Sequence, residues 1–348
     1  MKLEYVVTDF GAVSDDTSND LSVAFEKIFK DIQNASNRGN NGATIVIPHG
    51  NFYLYKPIKI EHNFITIGGL NYGWRSVVDS GNPGGSRVVV KNPITAFSVP
   101  GHLPRITGLC FRDFIIDGLD SANQKVGIHV ERDNDGIQIL NMVCMRLHYG
   151  VELRNADAAF ISGNQLVECR NCLYLTNAGK SNLISNNRMG GGKDGITCFV
   201  EGQSWLNIIG NNIFPDGYSN LVMKRCGNCL VTGNHIKSYY VGALYLEEAW
   251  SNSGNFEGNN LITIVGNHIM AVSTDDGRWN NNPHGWDKLF GVVQLNGNDI
   301  QFTGNTVYTH APKGSSVILV RRGARNYLSD CKIYSDRGCK KFCVIPNL

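Results

Sequence analysis

Asp157 and Glu168 stand eleven residues apart in the stretch NADAAFISGNQLVECRNC, residues 155–172. Two carboxyl groups in opposite protonation states can protonate a leaving oxygen and deprotonate an attacking one, which is the chemistry of glycoside cleavage. Neither residue precedes a glycine, and each lies within or against a short apolar run: Asp157 after Asn155-Ala156, Glu168 after Leu166-Val167. Charges on a strand face are either outward and solvated or functional, and the residues alone leave both readings open. Asp117, Asp135, Asp194, Asp216 and Asp276 each precede a glycine and read as turn residues.

Other chemistries fit less well. Cys169-Arg-Asn-Cys172 and Cys226-Gly-Asn-Cys229 imitate two halves of a four-cysteine zinc site, but the pairs are 57 residues apart. At the repeat length found below, that is roughly 12 Å along the axis at about 4.8 Å per rung, too far for one zinc ion about 2.3 Å from each sulfur. His129, His148, His235, His268, His284 and His310 show neither HxH nor HExxH spacing, and GGGK at 190–193 lacks the rest of a phosphate-binding loop. Neither a metal nor a cofactor is expected.

Charged residues make up 18% of the chain and the formal net charge is +2. That balance argues against a nucleic-acid groove or a polyanion funnel and suits a neutral substrate. No stretch approaches the ~18 apolar residues of a membrane helix. The opening MKLEYVVTDFGAVSDD has no apolar core of a secretory signal. With ten cysteines in a chain of this size, the expectation is a cytoplasmic protein whose thiols are reduced and mostly buried.

The elements that must position these groups are announced by a repeat. ISGNQL from Ile161, ISNNRM from Ile184, IIGNNI from Ile208, VTGNHI from Val231, IVGNHI from Ile264 and FTGNTV from Phe302 share one pattern, with QILNMV from Gln138 as a looser copy. Their fourth residues are Asn141, Asn164, Asn187, Asn211, Asn234, Asn267 and Asn305, at steps of 23, 23, 24, 23, 33 and 38. A period near 23 means one supersecondary unit stacked along an axis. Three short strands joined by Gly, Asn and Asp turns fit such a unit. The predicted fold is an all-β, single-domain, right-handed parallel β-helix over residues 1–348, with the asparagines stacked as a ladder.

An open first rung would expose apolar interior and unpaired backbone, so it needs a plug. Leu21, Ala24, Phe25, Ile28, Phe29 and Ile32 recur at helical spacing, predicting a capping helix over 18–33 with Ser18 or Asn19 as N-cap. The long steps place inserted loops at 246–259 and 272–290. Trp250, Trp279 and Trp286 lie in these polar loops, where aromatic rings serve sugar stacking or interface anchoring.

FRDFIIDG from Phe111, LRNADAAFISGNQLVECRNC from Leu153, GGGKDGIT from Gly190, GNNIFPDG from Gly210 and KLFGVVQL from Lys288 together resemble stretches of the inulin fructotransferases. That family includes the hydrolases of difructose anhydride III, and the resemblance runs from about residue 45 to 310. It implies a β-helix that assembles as a homotrimer, with metal-free active sites between subunits and a carbohydrate substrate. It further implies that Asp157 and Glu168 are the catalytic pair, and that Asp194 and Asp287, beside Trp286, hold fructosyl hydroxyls. The surroundings of Trp279 to Trp286 depart from the family, which bears on the choice of activity.

On this reading Glu168, next to Leu166 and Val167, is the acid and Asp157 the base or nucleophile, although the residues allow the reverse. The leading expectation is hydrolysis of difructose anhydride III to inulobiose, since an imported cyclic disaccharide suits a chain without an export signal. The alternatives are an inulin fructotransferase forming a difructose dianhydride, a β-helical polyuronate lyase or hydrolase, and a non-catalytic carbohydrate-binding protein. Eleven residues is half a rung, so the two carboxylates are expected on different faces of one chain and to meet across a subunit boundary.

Overall fold

A repeat of about 23 residues supplies an inward apolar side chain at every second strand position, and only stacking on further copies buries that row. The computed structural model describes residues 4–35, 42–70, 85–102, 104–122, 124–191, 195–214, 219–238, 242–249, 257–271, 292–310, 316–335 and 340–344. The chain divides into two compact units, Met1–Cys169 and Arg170–Leu348. Each is a parallel β-helix.

In the first unit, one coil comprises Val126–Val130, Asn134–Asp135, Gln138–Leu140 and Val143–Met145. The next comprises Tyr149–Arg154, Ala156–Asp157, Phe160–Ser162 and Gln165–Cys169. The coils pair in parallel, residue over residue, as in Ile128 on Val151, Ile139 on Ile161 and Cys144 on Leu166. Four short strands thus replace the three expected. The extra one arises because Asn155 and Ala158, both at φ +51, turn the backbone on either side of Ala156–Asp157.

The interior of the first unit is a set of apolar rows. Ile45, Ile67, Phe111, Ile139 and Ile161 stack in register and are 0–1% exposed. The second unit repeats this with Ile184, Ile208, Val231, Ile264 and Phe302, all fully buried.

The asparagine ladder runs through the second unit. Asn211 donates its backbone N–H and its side-chain amide to Asn234 Oδ1, each at 2.9 Å. Asn234 does the same to Asn267, and Asn267 to Asn305, at 2.9–3.0 Å. Each link satisfies two buried donors that a β-helix corner otherwise leaves open. Asn234→Ala removes the acceptor of the Asn211 N–H, while the Asn211 amide keeps Ile184 O and Ile209 O, and should cost about 1–3 kcal/mol for the buried N–H left without a partner. Urea unfolding checks this, and an unchanged midpoint would remove the ladder from the list of stabilising devices.

Asn141 is not part of the ladder. It lies exposed at φ +50, and its amide donates to Asp113. The backbone N–H that reaches Asn164 Oδ1, at 2.9 Å, is that of Met142. The repeat has two special positions in succession, a left-handed corner and then the ladder. Gly163, Gly210, Gly233, Gly266 and Gly304 fill the corner at φ +61 to +71, and Asn186 fills it at φ +55. Asparagine is among the few residues besides glycine that visit this region readily. Asn141 therefore aligns with the glycines, one position earlier than the spacing predicted.

The helix spans Leu21–Ala35 and buries Leu21, Ala24, Phe25, Ile28 and Ile32. Its start is held by Asp20, whose carboxylate accepts from the N–H of Ser22 at 3.1 Å and of Tyr55 at 3.2 Å, so neither Ser18 nor Asn19 is the cap. Phe25 packs edge-on against Phe97, which meets Phe111 and Phe114 inside the coils. The helix is thereby tied to the interior row. Phe29 lies over His62, with ring centroids 5.6 Å apart, and burial holds His62 below its ordinary value of 6.5. A depressed imidazole favours the neutral form in the fold. Its contribution is present above the unfolded pKa and is lost as pH falls through the folded one. Acidification from about pH 7 to 5 should therefore lower the melting temperature of the parent more than that of His62→Phe. Parallel melting curves would count against this.

Candidate active site

Asp157 is the outward residue of a two-residue strand whose other member, Ala156, is 1% exposed. It stacks in register on Asp135, and Asp135 on Thr107. Two like charges one rung apart repel, and Arg105 relieves this. Its guanidinium lies 3.3 Å from Asp157 Oδ2 and 3.8 Å from Asp135 Oδ2. Asp157 keeps 34% of its side chain open to solvent. The site thus offers an accessible carboxylate oriented by Arg105.

Glu168 lies on a different sheet of the same coil, in Gln165–Cys169. Its φ of +55 marks a left-handed corner between buried Val167 and Cys169, and its side chain is half-buried. Arg146 forms the matching corner of the preceding coil at φ +54, with its N–H donating to Val167 O at 3.3 Å. Its guanidinium turns to Asp117, contacting Oδ1 through Nε at 3.0 Å and Oδ2 through Nη2. Arg87 reaches the same carboxylate from the other side. The Asp117 side chain is fully buried and that of Arg87 is 6% exposed. Arg146 thus brings a cation to the corner one rung below Glu168.

Asp157 and Glu168 therefore share a coil but occupy different sheets. Asp194, Trp286 and Asp287 lie outside the described residues, as do Trp250 and Trp279. The partners the sequence did not reveal are Arg105, Arg146, Arg87 and the two aspartates read as turn residues. Asp117 does make the expected turn contact, accepting from the Leu119 N–H at 2.8 Å. Its main role is the ion-pair hub. Asp135 stands on a strand beneath Asp157.

The thiols pack. Cys169 Sγ donates to Cys144 O at 3.5 Å, Cys226 Sγ to Val200 O at 3.5 Å and Cys229 Sγ to Gly227 O at 3.2 Å. Burial pushes the Cys144 thiol well up and that of Cys198 to about 12. Such thiols stay protonated and make poor ligands or nucleophiles.

A family model described as NosD, periplasmic copper-binding protein, matches residues 84–299. The chain is 26% identical to an inulin fructotransferase (DFA-I-forming) of Arthrobacter globiformis, covering 95% of this chain and 89% of that protein. Its fold is similar to that of the DFA-IIIase from Arthrobacter chlorophenolicus A6 without its lid in complex with GF2. That match has a TM-score of 0.88 and 26% identity, and it covers 99% of this chain and 92% of that one. The DFA-IIIase of the same organism in complex with DFA-III matches with a TM-score of 0.84 and 26% identity, over 96% and 84% of the two chains.

The copper in the family description finds no fitting ligand set among the described residues. No three His, Cys, Asp or Glu side chains converge there. The Cys226 and Cys229 thiols are turned to backbone carbonyls, and His235 and His268 pack edge to face at 5.4 Å.

Proposed function

We propose a fructan-processing activity for this chain, which belongs to the NosD family: opening of difructose anhydride III to inulobiose by Asp157 and Glu168. The observation that carries this reading is the correspondence with DFA-IIIase over 99% of this chain at a TM-score of 0.88. The inulin fructotransferase of Arthrobacter globiformis, similar over 95% of this chain, favours a second reading, release of a cyclic dianhydride from the end of inulin.

Both reactions pass through an oxocarbenium-like state at an anomeric carbon and need a proton on the departing oxygen. Glu168, half-buried at its corner, supplies that proton. Asp157, oriented by Arg105 at 3.3 Å, activates the incoming oxygen or attacks directly. A water in that position gives the linear disaccharide, and a sugar hydroxyl gives the cyclic one. Exclusion of water from the pocket selects between them.

The carboxylates stand on different sheets, so we propose a homotrimer whose sites pair Asp157 of one subunit with Glu168 of the next. Light scattering should return three times the chain mass. Co-expressing Asp157→Asn with Glu168→Gln chains should restore about a quarter of parental activity, because about one interface in four then carries both native carboxylates. A monomer, or mixed chains as inactive as each alone, would refute the shared site. The activity is tested by incubating the protein separately with inulin and with difructose anhydride III and separating the products. Turnover of neither sugar overturns the fructan reading.

A further inference from the structure

We infer that the outer face of the first unit carries a subsite for a stretch of neutral β-2,1-linked fructose chain, leading away from Asp157; the inference rests on the fructan reading above. A groove of about 430 Å³ opens on this face. Its wall is a row of side chains on successive coils, Thr44, Thr66, Cys110 and Gln138, stacked in register. At about 4.8 Å per rung, the row presents two hydroxyls, a thiol and a carboxamide at regular steps. Among the described residues, Thr44, Thr66 and Gln138 have no side-chain hydrogen-bond partner in the protein. Their hydrogen-bonding capacity is available to a ligand.

One end of the row is aromatic and the other is acidic, with the exposed Glu4 stacked on Thr44. Phe160 follows Gln138 on the next coil and is 37% exposed. Phe64, 46% exposed, overhangs Gly108, where an added Cβ would come within 2.6 Å of its ring. Beside Gln138 the floor is Gly136, with φ +66 and nothing within 4 Å of the space a Cβ would take. Exposed rings beside unpaired polar groups over an open floor match the surface of a sugar chain, which alternates apolar ring faces with hydroxyls. Arg112, at the edge of the groove, is paired with Asp113 at 3.5 Å, and the exposed residue at the end of the row, Glu4, is acidic, so the face does not select an anionic polymer.

The groove is continuous with the candidate site. Gly136 donates its N–H to the Asp157 carbonyl at 2.9 Å, and Gly108 donates to that of Asp135 at 3.1 Å. A chain lying along Thr44 to Gln138 would thus run up to the rung that bears Asp157. This extends the reading from a disaccharide to longer substrates.

The test is calorimetric titration of the full-length protein with a β-2,1 fructo-oligosaccharide of about five units and with difructose anhydride III. The comparison is between the parent, Gln138→Ala, Phe160→Ala and, as a control that does not line the groove, Tyr327→Ala, a residue 59% exposed. The groove variants should bind the oligosaccharide about tenfold or more weakly, a loss of about 1.4 kcal/mol, while the anhydride loses much less. Tyr327→Ala should match the parent. Unaltered oligosaccharide affinity in both groove variants overturns the subsite, and so does a parent that does not bind the oligosaccharide. A change of assembly mass in the variants without loss of sugar affinity also overturns it, identifying the face as a contact between copies. Oligosaccharide binding that depends on the groove in a protein that turns over neither sugar supports the subsite and removes the catalytic reading, so the two failures are distinct.

Discussion

Asp157→Asn and Glu168→Gln should each reduce turnover by about 10³-fold or more, with the melting temperature essentially unchanged. A carboxamide can neither give up nor accept the proton at issue, and loss of a positioned acid or base costs about 10²–10⁴ in rate. The removal of a nucleophile costs more. Stability should hold because the Asp157 to Arg105 pair is half-exposed, and such pairs contribute about 0–1 kcal/mol. Glu168 sits at φ +55, and glutamine carries the same backbone cost there as glutamate. Arg105→Ala should be milder, raising KM and lowering kcat by about tenfold, since it orients a carboxylate without exchanging protons. Initial rates from product chromatography, with melting curves as the control, decide the matter. Full turnover in either carboxamide variant would dismiss that residue from the chemistry.

Replacing Asp117 should have the largest effect on stability. Asp117→Ala leaves the guanidinium groups of Arg87 and Arg146 facing each other without their shared anion, with side chains only 6% and 21% exposed. Breaking a buried ion pair from one side costs about 3–5 kcal/mol, because the remaining charge loses its counter-ion where water screens it poorly. Adding Arg87→Met should return part of that loss, and a double-mutant cycle isolates the coupling. Activity should fall as well, since Arg146 forms the corner directly beneath Glu168. Denaturant midpoints test the first claim. A single variant within about 1 kcal/mol of the parent would mean that water reaches this cluster and screens it.

Most of the coil was legible in the chain because its determinants are local. The glycine or asparagine before each ladder asparagine states a left-handed corner, and the apolar residue three positions before that asparagine states an inward side chain. The same locality explains the misreading at Asn141. An asparagine suits both the corner and the ladder, so the residue type cannot say which position it holds. The next row decided it, because Asn164 Oδ1 accepts from Met142. The helix was equally legible from its apolar stripe. Its true cap, Asp20, was obscured because Ser18 and Asn19 are also good caps, and the choice turned on a bond to Tyr55, 35 residues away.

The sequence by itself determined the parallel coil, the buried asparagine row, the capping helix and the pair of carboxylates half a turn apart. Only the tertiary structure decided what surrounds that pair. Arg105 reaches Asp157 across 52 residues, and Arg87 and Arg146 close on Asp117 across 30 and 29. No local window contains such contacts. In a β-helix the neighbour of a side chain lies one rung away, and the number of residues in that rung depends on every corner and loop between them. An aspartate before a glycine thus looked like a turn until the coils on either side of it each supplied an arginine.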